Sequence, residues 1–255
     1  MVIRESATRG FLVALCMLAL CTASRAEHVY RILPLGDSIT QAEADRASYR
    51  YPLWKMLVDA GLEFEFVGSM NTHLGVPRKG PPPQPDYKGR PFDPDHEGHF
   101  GWTTGDIING RRFDTGSGSG KLEQWVKDYR VDIALVHLGT NDAFATGDNA
   151  STVDNLEQIV RILRADNPEV AVLLAQLIPA GRRPEDDGPI ESLNREIPRV
   201  AQAMHAARSP VIIVDQYSGF DPEVDTYDGV HPNESGEGKI ARRWFDAIME
   251  LLEMR

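Results

Sequence analysis

Four short segments of this chain hold the residue types that serine-based acyl transfer requires: Gly36-Asp37-Ser38-Ile39-Thr40, Gly101, Gly139-Thr140-Asn141-Asp142 and Asp228-Gly229-Val230-His231-Pro232. A serine hydroxyl is a poor nucleophile near neutral pH. It needs a base to take its proton, a group to orient that base, and donors for the developing oxyanion. The Asp228-x-x-His231 spacing lets one loop hold both carboxylate and imidazole, the carboxylate fixing the tautomer while the other ring nitrogen faces Ser38. Taken singly, each segment also fits ordinary turn and helix-cap chemistry. Taken together, they fall at or just beyond the carboxyl ends of predicted strands or in loops close to helix starts, where open α/β sheets place ligand sites.

The elements that must position these residues follow from hydrophobic periodicity. Tyr30 to Leu35, Phe64 to Val67, Val131 to Leu138, Val170 to Ile178 and Val211 to Val214 are candidate strands, several nearly continuous in apolar residues, as parallel strands covered on both faces require. Helical spacing appears between them: Leu53, Leu57 and Val58 before Gly61; Leu122, Trp125, Val126 and Tyr129; and a run from Ser151 through Leu163 that Asn167-Pro168 stops. Ile190, Leu193, Ile197 and Val200 mark a fourth helix despite Pro198, and a fifth runs from Ser235 with Ile240, Trp244, Ile248 and Leu252. This alternation predicts an α/β fold, a three-layer doubly wound parallel sheet. Asn71 to Asp95 is rich in Pro and Gly and reads as a long loop leading into Gly101, either walling one side of a pocket or forming a surface insertion.

The joint pattern resembles the GDSL/SGNH hydrolases, over the chain from about Tyr30 to the C-terminus. That resemblance implies a flavodoxin-like strand order, 2-1-3-4-5. It also implies Ser38 as nucleophile, His231 as base and Asp228 as its orienting acid, with the N–H groups of Ser38 and Gly101 and the side-chain amide of Asn141 forming the oxyanion hole. The first segment lacks the second glycine of the G-x-S-x-G elbow, which argues against a standard α/β-hydrolase. Arg31-Ile32-Leu33-Pro34-Leu35-Gly36-Asp37-Ser38-Ile39-Thr40, Ser48-Tyr49-Arg50-Tyr51-Pro52-Leu53-Trp54, Phe66-Val67-Gly68-Ser69 and His96-Glu97-Gly98-His99-Phe100-Gly101-Trp102 are similar to phrases of family 3 of the carbohydrate esterases. Phe100 departs from that family's pattern, which more often has a small polar residue there. The narrower resemblance implies removal of acetyl groups from xylan-like carbohydrate esters, with an acetylated polysaccharide or oligosaccharide as substrate and neither cofactor nor metal. A lipid esterase or thioesterase of the same fold, and a non-catalytic carbohydrate-binding protein, are the other readings, since fold does not fix substrate.

Length and composition agree: 255 residues with 42% hydrophobic content suit one domain with a substantial core. Residues 1–26 read as a signal peptide and 27–255 as the hydrolase domain. Arg4 and Arg9 precede the apolar run Phe11 to Cys21, and Ser24-Arg25-Ala26 offers small residues at the cleavage positions. The run is shorter than the roughly 20 residues that span a bilayer. Expected, therefore, are secretion, extracellular or periplasmic, and no stable membrane insertion. Cys16 and Cys21 both lie in this leader, leaving the mature chain without thiol or disulfide. Cleavage removes Arg4, Arg9, Arg25 and Glu5, taking the net charge from −11 to −13. Such a surface disfavours nucleic acid and suits a neutral substrate.

Competing chemistry centres on Asp93, Asp95, His96, Glu97 and His99, a dense set of possible ligands whose spacing is not H-E-x-x-H. Trp102 can stack on a sugar ring or pack in the core, and His137, inside an apolar strand, reads as a satisfied core histidine. Asp37 and Asp142 are expected to organise loops through backbone N–H groups. Asn149-Ala150-Ser151 and Asn233-Glu234-Ser235 match the glycosylation sequon.

Overall fold

The computed structural model describes residues 28–43, 48–75, 84–111, 118–145, 149–181 and 187–254. The expected leader, residues 1–26, lies outside them. In chain order the elements are β1 (Tyr30–Gly36), α1 (Ser38–Gln41), α2 (Arg50–Asp59), β2 (Phe64–Phe66), β3 (Glu97–Gly98), α3 (Thr104–Asn109), α4 (Leu122–Trp125) and β4 (Ile133–His137). There follow α5 (Thr140–Ala145), α6 (Asn149–Asp166), β5 (Ala171–Gln176), α7 (Asp187–Met204), β6 (Val211–Asp215), α8 (Pro222–Asp225) and α9 (Glu234–Glu253).

All strand pairs are parallel, in the order β2-β1-β4-β5-β6, with the short β3 added beside the end of β1. Counting only the five long apolar runs, this is the flavodoxin-like order 2-1-3-4-5. Both faces of the sheet are covered. Leu33, Leu35, Ala134, Val136, Val172 and Leu174 pack under α3, α4, α6 and α7, around Ile107, Leu122, Leu156, Ile159, Leu193 and Ile197. The alternate residues Ile32, Ile133, Leu135 and Leu173 pack under α2 and α9, around Leu53, Leu57, Ile240, Trp244 and Ile248. This period of two, buried on both sides, makes the runs read as continuous rather than alternating.

The strand order reverses between β1 and β4, whose last paired residues are Gly36 and His137. The crevice at the carboxyl ends of two such strands is the usual ligand site of open α/β sheets. Ser38 and Asn141 emerge there.

Where the structure departs from the sequence reading, the reasons are local. The helix expected to reach Tyr129 is a single turn, α4, continued by turns. Pro198 does sit inside α7; proline leaves the carbonyl four residues back without its helical donor. That carbonyl, on Asn194, accepts the Gln176 side chain at 3.1 Å instead. In the described part of the 71–95 loop, Phe92 packs edge-on against Tyr51 and Trp54, and the Tyr87 hydroxyl donates to Asp59. Those segments cover α2, while the described start of the loop lies against the end of α1: the Leu74 N–H donates to the Ala42 carbonyl and the Thr72 carbonyl accepts from Gln41.

Candidate active site

The Ser38 hydroxyl sits at the start of α1, where the Asp37 side chain caps the helix by accepting the Ile39 N–H at 2.9 Å. Ser38 is nearly buried, and its Oγ lies 3.0 Å from His231 Nε2. The other ring nitrogen, Nδ1, lies 2.8 Å from Asp228 Oδ2. Asp228 Oδ1 accepts the N–H groups of His231 at 2.8 Å and Val230 at 3.0 Å. One carboxylate thus fixes both the loop and the ring. Burial raises the Asp228 pKa, but the His231 N–H, the His231 ring and the Val230 N–H outweigh it and hold the carboxyl below its ordinary value. The segment is closed on itself by Tyr227 N–H to the His231 carbonyl and by Gly229 N–H to Thr226 Oγ1.

The two remaining segments converge on the same crevice. His99 to Trp102 form a tight turn, the Trp102 N–H donating to the His99 carbonyl at 3.1 Å. Gly101 has φ +73°, and a Cβ there would meet nothing within 4 Å. Glycine is needed for the left-handed backbone rather than for space. No hydrogen bond among the described residues uses its N–H. Asn141 Nδ2 donates to the Trp102 carbonyl at 2.9 Å and stands 3.5 Å from Asp37 Oδ2, which leaves the amide between the Gly101 turn and the residue before Ser38. Asp142 accepts the Thr104 N–H and hydroxyl, tying α5 to α3. All five residues singled out in the sequence, Ser38, Gly101, Asn141, Asp228 and His231, therefore meet at one place. The arrangement can pass a proton from a hydroxyl to an imidazole whose tautomer is fixed, next to backbone and amide donors.

Residues 35–239 match the GDSL-like Lipase/Acylhydrolase family. The chain belongs to that family. It is 30% identical over 236 residues to a multidomain esterase of Ruminococcus flavefaciens, covering 88% of this chain but 29% of that protein. It therefore spans under a third of that relative's length. Among solved structures, a carbohydrate esterase family 3 protein from Talaromyces cellulolyticus is 33% identical, with a TM-score of 0.71 over 89% of this chain and 100% of the other. An acetyl esterase mutant solved with acetate ion is 32% identical, with a TM-score of 0.72 over 88% and 99%. A Clostridium thermocellum family 3 carbohydrate esterase is 28% identical, with a TM-score of 0.68 over 89% and 98%. The chain is thus a member of the GDSL-like Lipase/Acylhydrolase family whose neighbours among solved structures include carbohydrate esterases.

Several neighbours of the candidate site residues have contacts that the sequence does not report. Phe100 and Tyr227 lie nearly parallel to the His231 ring, at 5.4 and 5.7 Å between centroids. Beneath the Gly101 turn, the buried Glu97 carboxylate accepts from Ser69 N–H and Oγ and from the Tyr129 hydroxyl, and pairs with His99 Nε2 at 2.8 Å. The His99 ring stacks between Trp102 and Trp125. Asp93 instead accepts the Phe66 N–H, and His96 Nδ1 the Gly98 N–H, so the cluster that suggested metal ligands is spent on separate backbone and core partners. No group of three or more such ligands occurs among the described residues. Trp102 is 1% exposed and belongs to the core, which removes it as a sugar platform. His137 is buried as expected, yet neither ring nitrogen has a partner among the described residues, and burial pushes its pKa down to about 4. Both Asn233 Nδ2 hydrogens are engaged, by the carbonyls of Val224 and Thr226, while its Oδ1 caps α9. That sequon asparagine is a structural one.

Asp37 gives a prediction with a defined sign. Burial raises its pKa to about 7, opposed by the Ile39 N–H and the His231 charge and reinforced by Asp142. A carboxyl whose folded value lies above its unfolded one contributes stability that is fully present below about pH 4 and is lost as pH rises toward 7. Asp37→Asn removes this dependence. Relative to wild type, the variant should gain on the order of 3 kcal/mol between pH 4 and pH 8, and any pH-independent effect of the swap cancels in that difference. Denaturant midpoints at pH 4, 5.5 and 8 measure it; parallel profiles for the two proteins would show that folding does not shift the Asp37 carboxyl.

Proposed function

We propose that this chain is a secreted serine esterase that removes acetyl groups from carbohydrate esters of the xylan type. The observation that carries the catalytic part is the Ser38 Oγ, His231 Nε2 and His231 Nδ1, Asp228 Oδ2 relay, at 3.0 and 2.8 Å. Ser38 attacks the ester carbonyl while His231 Nε2 takes its proton. The tetrahedral oxyanion is held by the N–H groups of Ser38 and Gly101 and by the Asn141 amide. The C–O bond to the sugar then breaks, His231 returns the proton to the leaving alkoxide, and acetyl-Ser38 remains. Water gives a proton to His231 and attacks the acyl carbon; the bond from that carbon to Ser38 Oγ then breaks, His231 returns the proton to Oγ, and acetate leaves. Asp228 stabilises the imidazolium at both stages and stays ionised.

Acetyl selectivity is supported by the size of the space beside Ser38. The cleft bounded by Ser38, Ile39, Ala42, Tyr227, His231, Pro232 and Glu237 has a volume of only about 10 Å³, while larger cavities among the described residues lie elsewhere, one between α4 and α6 and one at the amino ends of β5 and β6. Glu237 makes the cleft wall partly polar. A carbohydrate substrate is supported by the carbohydrate esterase neighbours, and secretion by the leader-like composition of residues 1–26.

The deciding experiment varies the acyl chain. In an extended apolar channel each methylene adds about 0.8 kcal/mol, roughly fourfold in kcat/KM. Here kcat/KM should be highest for acetyl esters and fall from butyrate onward, with acetate released from acetylated xylan. A rise toward octanoyl esters, with no acetate from polysaccharide, would replace the carbohydrate assignment by a lipid one.

A further inference from the structure

We propose that Gln41 is a positioning residue of the oxyanion hole, setting the Gly101 turn at a fixed place relative to Ser38; this rests on the serine esterase reading above. Gln41 is the last residue of α1, three positions after Ser38, and its side chain is wholly buried. Burying a side-chain amide is unfavourable unless its polar atoms find partners. Its Oε1 accepts the Phe100 N–H at 2.7 Å, and its Nε2 reaches the Thr72 carbonyl at 3.4 Å.

The Phe100 bond matters because of where it lands. In a four-residue turn closed by the Trp102 N–H on the His99 carbonyl, the N–H groups of the two central residues, Phe100 and Gly101, are not used by the turn itself. One is taken by Gln41. The next along the chain, that of Gly101, is the donor the proposed chemistry needs. Gln41 therefore joins the helix that carries the nucleophile directly to the turn that carries this donor.

Close packing leaves little other freedom in the same region. A Cβ on Gly98 would come within 2.5 Å of the Gln41 backbone nitrogen, so β3 runs against the backbone of α1. Other tethers hold the turn as a whole: the His99 N–H donates to the Gly36 carbonyl at 3.0 Å, and Arg111 donates to the Gly101 carbonyl at 2.9 Å from the exposed side. These secure the fold of the turn. Among the described residues, only the Gln41 bond runs from α1 itself to the peptide next to Gly101. Donor placement to a fraction of an ångström is what electrostatic stabilisation of an oxyanion requires, and small misplacements are costly in rate.

Gln41→Met keeps the side-chain volume and removes the acceptor; Gln41→Glu keeps an acceptor oxygen in either protonation state. With an acetyl ester, Gln41→Met should lose about 10- to 100-fold in kcat with KM within about twofold. An alkylboronic acid, whose tetrahedral adduct on a serine places an oxygen where the oxyanion forms, should bind more weakly by a similar factor. Gln41→Glu should recover most of both. If Gln41→Met does not fold, Gln41→Asn, whose amide ends short of Phe100, must show the same kcat loss. Unchanged kcat and boronate affinity in a folded Gln41→Met or Gln41→Asn protein would overturn the role of Gln41 while leaving the esterase reading intact. So would equal losses in Gln41→Met and Gln41→Glu, because a structural role is not rescued by an acceptor. A wild-type protein that neither turns over the ester nor binds the boronate would overturn the esterase reading, and this inference with it.

Discussion

Ser38→Ala is expected to leave a folded protein with acetyl ester turnover reduced by about 10⁵- to 10⁶-fold, the scale seen when a serine hydrolase loses its nucleophile. The covalent acyl intermediate cannot form without Oγ. Folding should be little affected, because the one partner of Oγ among the described residues is His231 Nε2, at 3.0 Å, and the methyl of alanine fills the Cβ position in the nearly buried first turn of α1. His231→Ala should be comparably severe. The two losses should not multiply in the double variant, since nucleophile and base act as a unit. Initial rates on acetyl esters, with thermal unfolding as the control for folding, measure this. Turnover near wild type in a folded Ser38→Ala protein would remove Ser38 from the mechanism.

The sheet was legible in the sequence because its strands are buried on both faces: β1, β4 and β5 are nearly uniform apolar runs, found to within two residues at either end. The candidate site residues stood out in the sequence because short polar segments such as Gly36-Asp37-Ser38 and Asp228-Gly229-Val230-His231 interrupt that pattern where strands end and helices start. Other features have no local signature. The two-residue β3 exists only because Leu35 and Gly36 offer it an open edge beyond β2. Arg50 looks like a helix-surface cation, yet it is buried and donates to the carbonyls of Thr40, Gln41 and Pro94, neighbours 9 to 44 residues away in sequence. Burial lowers its pKa to about 10. Glu97 and His99 have the composition of metal ligands, and only the approach of Ser69, Tyr129 and the two tryptophans shows them to be a core network. Gln41 is a similar case: nothing in Ser38-Ile39-Thr40-Gln41 says that its partner is the Phe100 N–H, 59 residues on. Tertiary partners decide these residues, and periodicity does not report them.

Asp228→Asn should lower kcat by about 10⁴-fold, as for the equivalent change in other triads, with KM changing far less. The reasoning is one of tautomers. Asp228 Oδ1 accepts the backbone N–H groups of His231 and Val230, and an asparagine oxygen can keep those bonds. The group facing His231 Nδ1 at 2.8 Å then becomes an NH₂. An NH₂ is a donor, so Nδ1 must accept and the ring proton moves to Nε2, where it points at Ser38 and leaves no lone pair to take the hydroxyl proton. The loop survives while the base is lost. A second readout separates this from simple damage to the loop. Asp228 ionises below the ordinary carboxylate range despite burial, because the His231 N–H, the His231 ring and the Val230 N–H favour its charged form. Its ionisation therefore adds stability that is present above the unfolded carboxylate value and lost as pH falls through the lower folded value. The stability difference between wild type and Asp228→Asn should narrow in acid, while the kcat loss persists wherever wild type is active. A variant that retains wild-type kcat, or whose stability deficit is the same at every pH, would show that Asp228 neither fixes the His231 tautomer nor is held ionised by it.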